Sequence, residues 1–245
     1  MFFISAGLQK SGTAWYFRMT NDILVRIGYP AAQDICRRYR LTPTPLGTNC
    51  NIGVLSPRQL AKCLRPSLLG KSFLVKTHEG PTRAFRLLRQ LRQVQATYVY
   101  RDPRDVALSV FERGWQAHTR NESSPFARFY TLEEAIEFVA QRLTVWEAWT
   151  ACPQVFVTRY EELLANPIAV LADLFRAWSI QVPIGIIQEV VDFYSAERIA
   201  GLPVAKGLHL NVAQIGRFRT EMSESQQALC QVTFGHYLSR MGYAA

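Results

Sequence analysis

The chain has 245 residues, 49% hydrophobic and 19% charged, which is enough apolar material for a full core and excludes a disordered chain. Lys and Arg outnumber acids 28 to 19, a formal net charge of +9, and most of these cations are Arg, whose planar fork grips phosphate or sulfate bidentately. No run of five or six basic residues and no basic stretch interleaved with aromatics occurs, which argues against nucleic acid. The five scattered cysteines, without CxxC or Cys/His spacing, argue against structural zinc and fit a reducing, cytoplasmic compartment.

Residues 2–6, Phe-Phe-Ile-Ser-Ala, read as a buried strand; the run is too short for a membrane span and has no basic leader. A glycine-bearing turn, 7–12, leads into a helix expected over 11–27, with Trp15, Met19, Ile23 and Ile27 recurring along one face. Residues 40–57 carry Pro and Gly and read as a long loop. A second strand is expected at 72–76, followed by Thr77-His78-Glu79-Gly80-Pro81 and an Arg-rich helix to about 93. A third strand, 96–100, ends at Asp102-Pro103, which opens a helix with Pro in its first turn. Residues 118–130 are polar and irregular, 132–150 form an amphipathic helix, and 155–158 a fourth strand. Helices to about 200, a glycine-bearing loop over 201–219 and a helix over 223–240 complete the chain. This alternation specifies an α/β fold, a three-layer sandwich with a central mostly parallel sheet and a phosphate-binding loop after the first strand. With no repeat, low-complexity tract or linker, residues 1–245 are expected to form one domain.

The sequence Gly7-Leu8-Gln9-Lys10-Ser11-Gly12-Thr13 between strand and helix has the layout of an anion cradle, in which backbone N–H groups and the helix dipole converge. Gly7 and Gly12 keep the glycine spacing of the nucleoside-triphosphatase loop GxxxxGK[ST]. Thr13 follows the second glycine, however, and the lysine lies inside the loop at position 10. The cradle is kept while the cation is moved, a departure from triphosphate and Mg²⁺ binding.

Lys10-Ser11-Gly12-Thr13-Ala14-Trp15 resembles the KSGTTW element of the sulfotransferase family that uses PAPS (3′-phosphoadenosine 5′-phosphosulfate) as donor. Residues 100–109, Tyr-Arg-Asp-Pro-Arg-Asp-Val-Ala-Leu-Ser, are similar to the family's RNPKDVAVS. The resemblance implies that Lys10 contacts the leaving phosphate oxygen and that Ser11, Gly12 and Thr13 cradle the 5′-phosphate. Ala14 then offers only a backbone donor, Trp15 stacks on adenine, and Arg101 and Ser109 bind the 3′-phosphate. Residues 157–163 with Asn166-Pro167 are similar to FYEDMKENP and match Tyr160 to the adenine-side Tyr. Residues 214–219, Gln-Ile-Gly-Arg-Phe-Arg, look like the end of RKGxxGDWK, which places Gly216 and Arg217 in the 3′-phosphate loop. The upstream Arg-Lys-Gly is replaced by Asn211-Val212-Ala213, leaving Arg217, Arg219 and His209 as alternative sources of the missing cation.

Lys76-Thr77-His78 matches the family's KTH element, whose His is the general base; Glu79 is the alternative. An unperturbed imidazole titrates near pH 6.5 and accepts a proton at neutral pH. The resemblance implies in-line attack of an acceptor hydroxyl or amine on sulfur, with His78 taking the proton and PAP (3′,5′-ADP) leaving. Lys10 and Lys76 would stabilise the developing charge without a metal. The competing classes are a Mg²⁺-dependent phosphotransferase and a non-catalytic anion- or nucleic-acid-binding protein. The expected partner is a small-molecule acceptor, with neither nucleic acid nor membrane. Phe111, Trp115, Phe126, Phe129 and Tyr130 are either walls of the acceptor pocket or ordinary core.

Overall fold

The computed structural model describes residues 1–42, 50–195 and 214–244. Four strands form the sheet: β1 (Phe2–Gly7), β2 (Leu74–Thr77), β3 (Val94–Tyr100) and β4 (Phe156–Arg159), ordered β2-β1-β3-β4 with every pair parallel. All six residues of β1 are buried, so its sequence is a continuous run without polar alternation, as expected of a strand covered on both faces. Parallel pairing requires crossovers. Between β1 and β2 these are α1 (Thr13–Arg26), α2 (Ala32–Tyr39) and α3 (Pro57–Leu68). Between β2 and β3 lies α4 (Arg83–Gln90), and between β3 and β4 lie α5 (Pro103–Thr119) and α6 (Leu132–Thr150). Then follow α7 (Tyr160–Ala165), α8 (Pro167–Ala177), α9 (Ile184–Phe193), α10 (Phe218–Glu221) and α11 (Glu224–Met241).

Local chemistry fixes the helix starts. Ser56, Thr82, Asp102, Thr131, Asn166 and Ser223 each accept a backbone N–H of the helix they precede, and Thr131 with Glu134 forms a reciprocal capping box. Like α2, α9 and α10, the first helix has no such cap. It starts at Thr13 and not at 11, because Lys10 and Gly12 hold left-handed backbone (φ 64° and 69°) that turns the chain before the helix begins. The loop expected over 118–130 is helical as far as Thr119. Within the segment expected to loop over 40–57, Asn51 bridges in parallel to Lys76 and extends the sheet beyond β2. Among the described residues no helix is long and apolar enough to cross a membrane. The C-terminal ends of all four strands (Gly7, Thr77, Tyr100, Arg159) come to one edge of the sheet, where open parallel sheets place their ligands.

Candidate active site

The turn after β1 has the geometry of an anion cradle. Its αL residue Gly12 offers α1 no side-chain cap, so among the described residues the first N–H groups of this 14-residue helix are left without a capping side chain at the positive end of its dipole. Ser11 is fully buried and its Oγ has no partner among the described residues. An orphan hydroxyl costs stability unless something fills its site. Glycine is required at both ends of the turn. A Cβ on Gly12 would stand 2.6 Å from the Tyr160 ring, and one on Gly7 2.6 Å from Thr13 Cγ2 and 2.7 Å from the Val99 carbonyl oxygen.

Lys10 projects from the turn toward α5, with its Nζ 6.0 Å from the centre of the Phe126 ring. Burial, with Arg113 and Arg101 nearby, lowers its pKa to about 8 against the opposing pull of Glu112. Lys76, 4% exposed, is pushed down to about 7 by burial and by Arg18. Two residues on, a spacing that returns to the same side of an extended chain, His78 lies 2.8 Å through Nδ1 from the Gly7 carbonyl oxygen. Since a carbonyl only accepts, Nδ1 carries the proton and Nε2 keeps its lone pair. Burial, followed by the Lys76 charge, pushes the imidazole down to about 3, against the bond to Gly7, so the ring is neutral. Glu79 is occupied differently: Arg142 of α6 pairs with its carboxylate at 3.5 Å and also donates to the His78 carbonyl, while Trp149 Nε1 donates to the Glu79 carbonyl at 2.9 Å.

Arg101 emerges from β3. One of its terminal nitrogens donates to Asp105 (3.0 Å) and to the Gln214 carbonyl (2.7 Å), and its guanidinium lies 4.8 Å from the centre of the Tyr160 ring. Its Nε is buried without a partner among the described residues, a donor left over beside the turn. Tyr160 therefore sits between Gly12 and Arg101 and joins the turn after β1 to the end of β3 through one ring. The acid that organises this corner, Asp105, was not singled out by sequence, although it lies within the second motif. Its fully buried carboxylate accepts from Arg101, from Gly216 N (2.8 Å) and from Phe218 N (3.1 Å), tying the segment after 213 to the base of α5. Ser109 is buried two turns along α5.

Two expected contacts are otherwise engaged. Trp15 is 7% exposed and its indole N–H donates to the Tyr194 carbonyl at 3.2 Å, fastening α1 to the end of α9. Arg217 is held by Glu112 and Glu221 together. Thr13 is buried, while Ala14 is half-buried at the start of α1. His209 and residues 211–213 lie outside the described residues.

Of the aromatic residues named from sequence, Phe126 and Phe129 cluster with Phe138 of α6, which sequence reading missed, at centroid separations of 6.3 and 5.0 Å. Phe138 lies one turn before Arg142, so this cluster runs from Lys10 toward His78. Gly114 makes it possible: a Cβ there would be 2.6 Å from the Phe126 carbonyl oxygen. Phe111 packs against the core, whereas Trp115 and Tyr130 are exposed.

Lysines, imidazole and arginine gathered at the carboxyl edge around an uncapped helix start define a protein that handles an anionic donor. A sequence model of the sulfotransferase domain matches residues 2–242, and the chain belongs to that family. Its fold is similar to mouse sulfotransferase SULT7A1 complexed with PAP (TM-score 0.61, 14% identity, 97% of this chain and 84% of that one). It is also similar to an Arabidopsis thaliana putative steroid sulphotransferase (0.57, 17%, 100% and 78%) and to retinol dehydratase in complex with androsterone and PAP (0.56, 17%, 97% and 80%). No curated protein sequence matches significantly.

Proposed function

We propose that this sulfotransferase transfers the sulfuryl group of PAPS to a hydroxyl or amine of a small, largely apolar acceptor, with His78 as general base, and releases PAP. The observation that carries this reading is the convergence at Tyr160, which packs against Gly12 on one side and Arg101 on the other. A nucleotide with phosphate groups at both its 5′ and 3′ ends needs two anion sites held at fixed separation. The free N–H groups of α1 with Ser11, Gly12, Thr13 and Ala14 take the 5′ end, and Arg101 with Ser109 takes the 3′ end. Gly216 closes the latter side. Trp15 and Tyr160 back the adenine from within the core, and Arg217 acts through its carboxylates to hold the closing loop.

The acceptor enters along Phe126 and Phe138. Its oxygen or nitrogen attacks sulfur as His78 Nε2 takes the proton, the S–O bond to the phosphate breaks, and Lys10 neutralises the departing oxygen while Lys76 faces the equatorial oxygens. The anionic donor also raises the basicity of His78, because its negative charge offsets the Lys76 and Arg142 charges that, after burial, hold the imidazolium off. Thermal-shift titration with PAP, ADP and ATP, with and without Mg²⁺, tests the donor. At a hundred times its Kd, PAP should stabilise the fold by about 2.7 kcal/mol, independently of Mg²⁺. A shift with ATP and Mg²⁺ but none with PAP would replace this reading with a phosphotransferase.

A further inference from the structure

The positive charge of this protein is concentrated in one part of the chain. Residues 35–101 hold thirteen Lys and Arg and a single acid, Glu79, a net +12, so all the remaining residues together are net −3. Lys76 and Arg101 of this group belong to the donor site. Four others, Arg38, Arg40, Lys62 and Arg65, line a cleft of about 580 Å³ with Tyr39 and Leu69, between the end of α2 and the later turns of α3. All four cations are exposed, and none makes an ion pair among the described residues. Arg40 caps α2 in left-handed conformation (φ 51°), a position that glycine or asparagine usually fills. Beside the cations, Leu68 and Leu69 are 76% and 64% exposed at the turn that leads into β2.

We propose that this cleft is a docking site for an acidic polypeptide segment, one that carries carboxylates and apolar side chains on the same face. Arginine forks match carboxylates bidentately and desolvate at lower cost than lysine, and arginine is enriched among the residues that dominate interfaces. A flat bilayer cannot enter a concavity, and a free phosphate leaves Leu68 and Leu69 without an apolar partner. A peptide with both chemistries satisfies the whole site. α3 runs into the start of β2, and none of the residues that line the cleft belongs to the donor site.

The test uses the full chain at physiological salt and a fluorescent peptide with Glu and Leu alternating at i, i+3 and i+4 along a helix. The peptide should bind with micromolar affinity. R38E/R65E should weaken binding at least about tenfold, and L69S several-fold, with PAP affinity unchanged in both variants. Absence of binding, or indifference to R38E/R65E, would overturn the site. Equal, variant-sensitive binding of poly-glutamate, single-stranded DNA or phosphatidylserine vesicles, or no effect of L69S, would reduce it to general polyanion attraction and overturn the docking role. PAP binding reports separately on the sulfotransferase reading.

Discussion

His78 shows how a single hydrogen bond sets a chemical role. The Gly7 carbonyl dictates which ring nitrogen is protonated, leaving Nε2 with the lone pair that the proposed transfer requires. His78→Ala should therefore lower kcat roughly 10²-fold or more while the Kd for PAP by calorimetry stays the same; full turnover in this variant would remove His78 as base. The lysines carry a pH signature. In the donor-free protein Lys76 titrates near 7 and Lys10 near 8, and an arriving anion raises both. Binding thus takes up protons above pH 7, and PAP affinity should fall as pH rises from 7 to 9, with proton uptake visible as a dependence of binding heat on buffer. The opposite sign applies to folding. The unfolded chain holds these protons to about pH 10.4, so relief of the buried charges makes stability rise with pH across that window.

At the scale of elements, Asp105 couples β3, α5 and the segment that follows residue 213. Asp105→Ala strands three donors, and the donor KM should rise at least about tenfold from the loss of positioned charge-assisted bonds. Asp105→Asn keeps one acceptor oxygen and should recover part of the loss, which a purely steric role would not predict. Gly114→Ala acts on the other side of α5. It should lift the turn bearing Phe126 and raise the acceptor KM while PAP affinity holds. The motifs around Lys10, His78 and Arg101 were legible because each follows a strand and carries its chemistry in contiguous residues. The helix over Leu132–Thr150 was legible from its amphipathic pattern. Asp105 as an organiser and Phe138 as part of the Phe126 cluster were not, since their contacts are with residues outside their own motifs (Gly216 and Phe126). Likewise, no local signal revealed that Glu112 and Glu221 would take up Arg217, or that Tyr194 would take the indole N–H of Trp15.

Taken as a whole, the molecule separates its anion-handling edge from a cationic flank while covering one short sheet with helices. The central strand has a further consequence. β1 is apolar but for Ser5 and buried throughout, yet its neighbours are residues 74–77 and 94–99, far downstream. During synthesis this segment leaves the ribosome well before either partner exists, and a Phe-Phe-Ile run with unpaired backbone is the kind of stretch that seeks other chains. Closing such long loops slows folding. The strand that presents the donor loop is therefore also the nascent chain's point of greatest vulnerability, and the yield of folded protein should depend on how well chaperones shield its first residues until the third strand arrives.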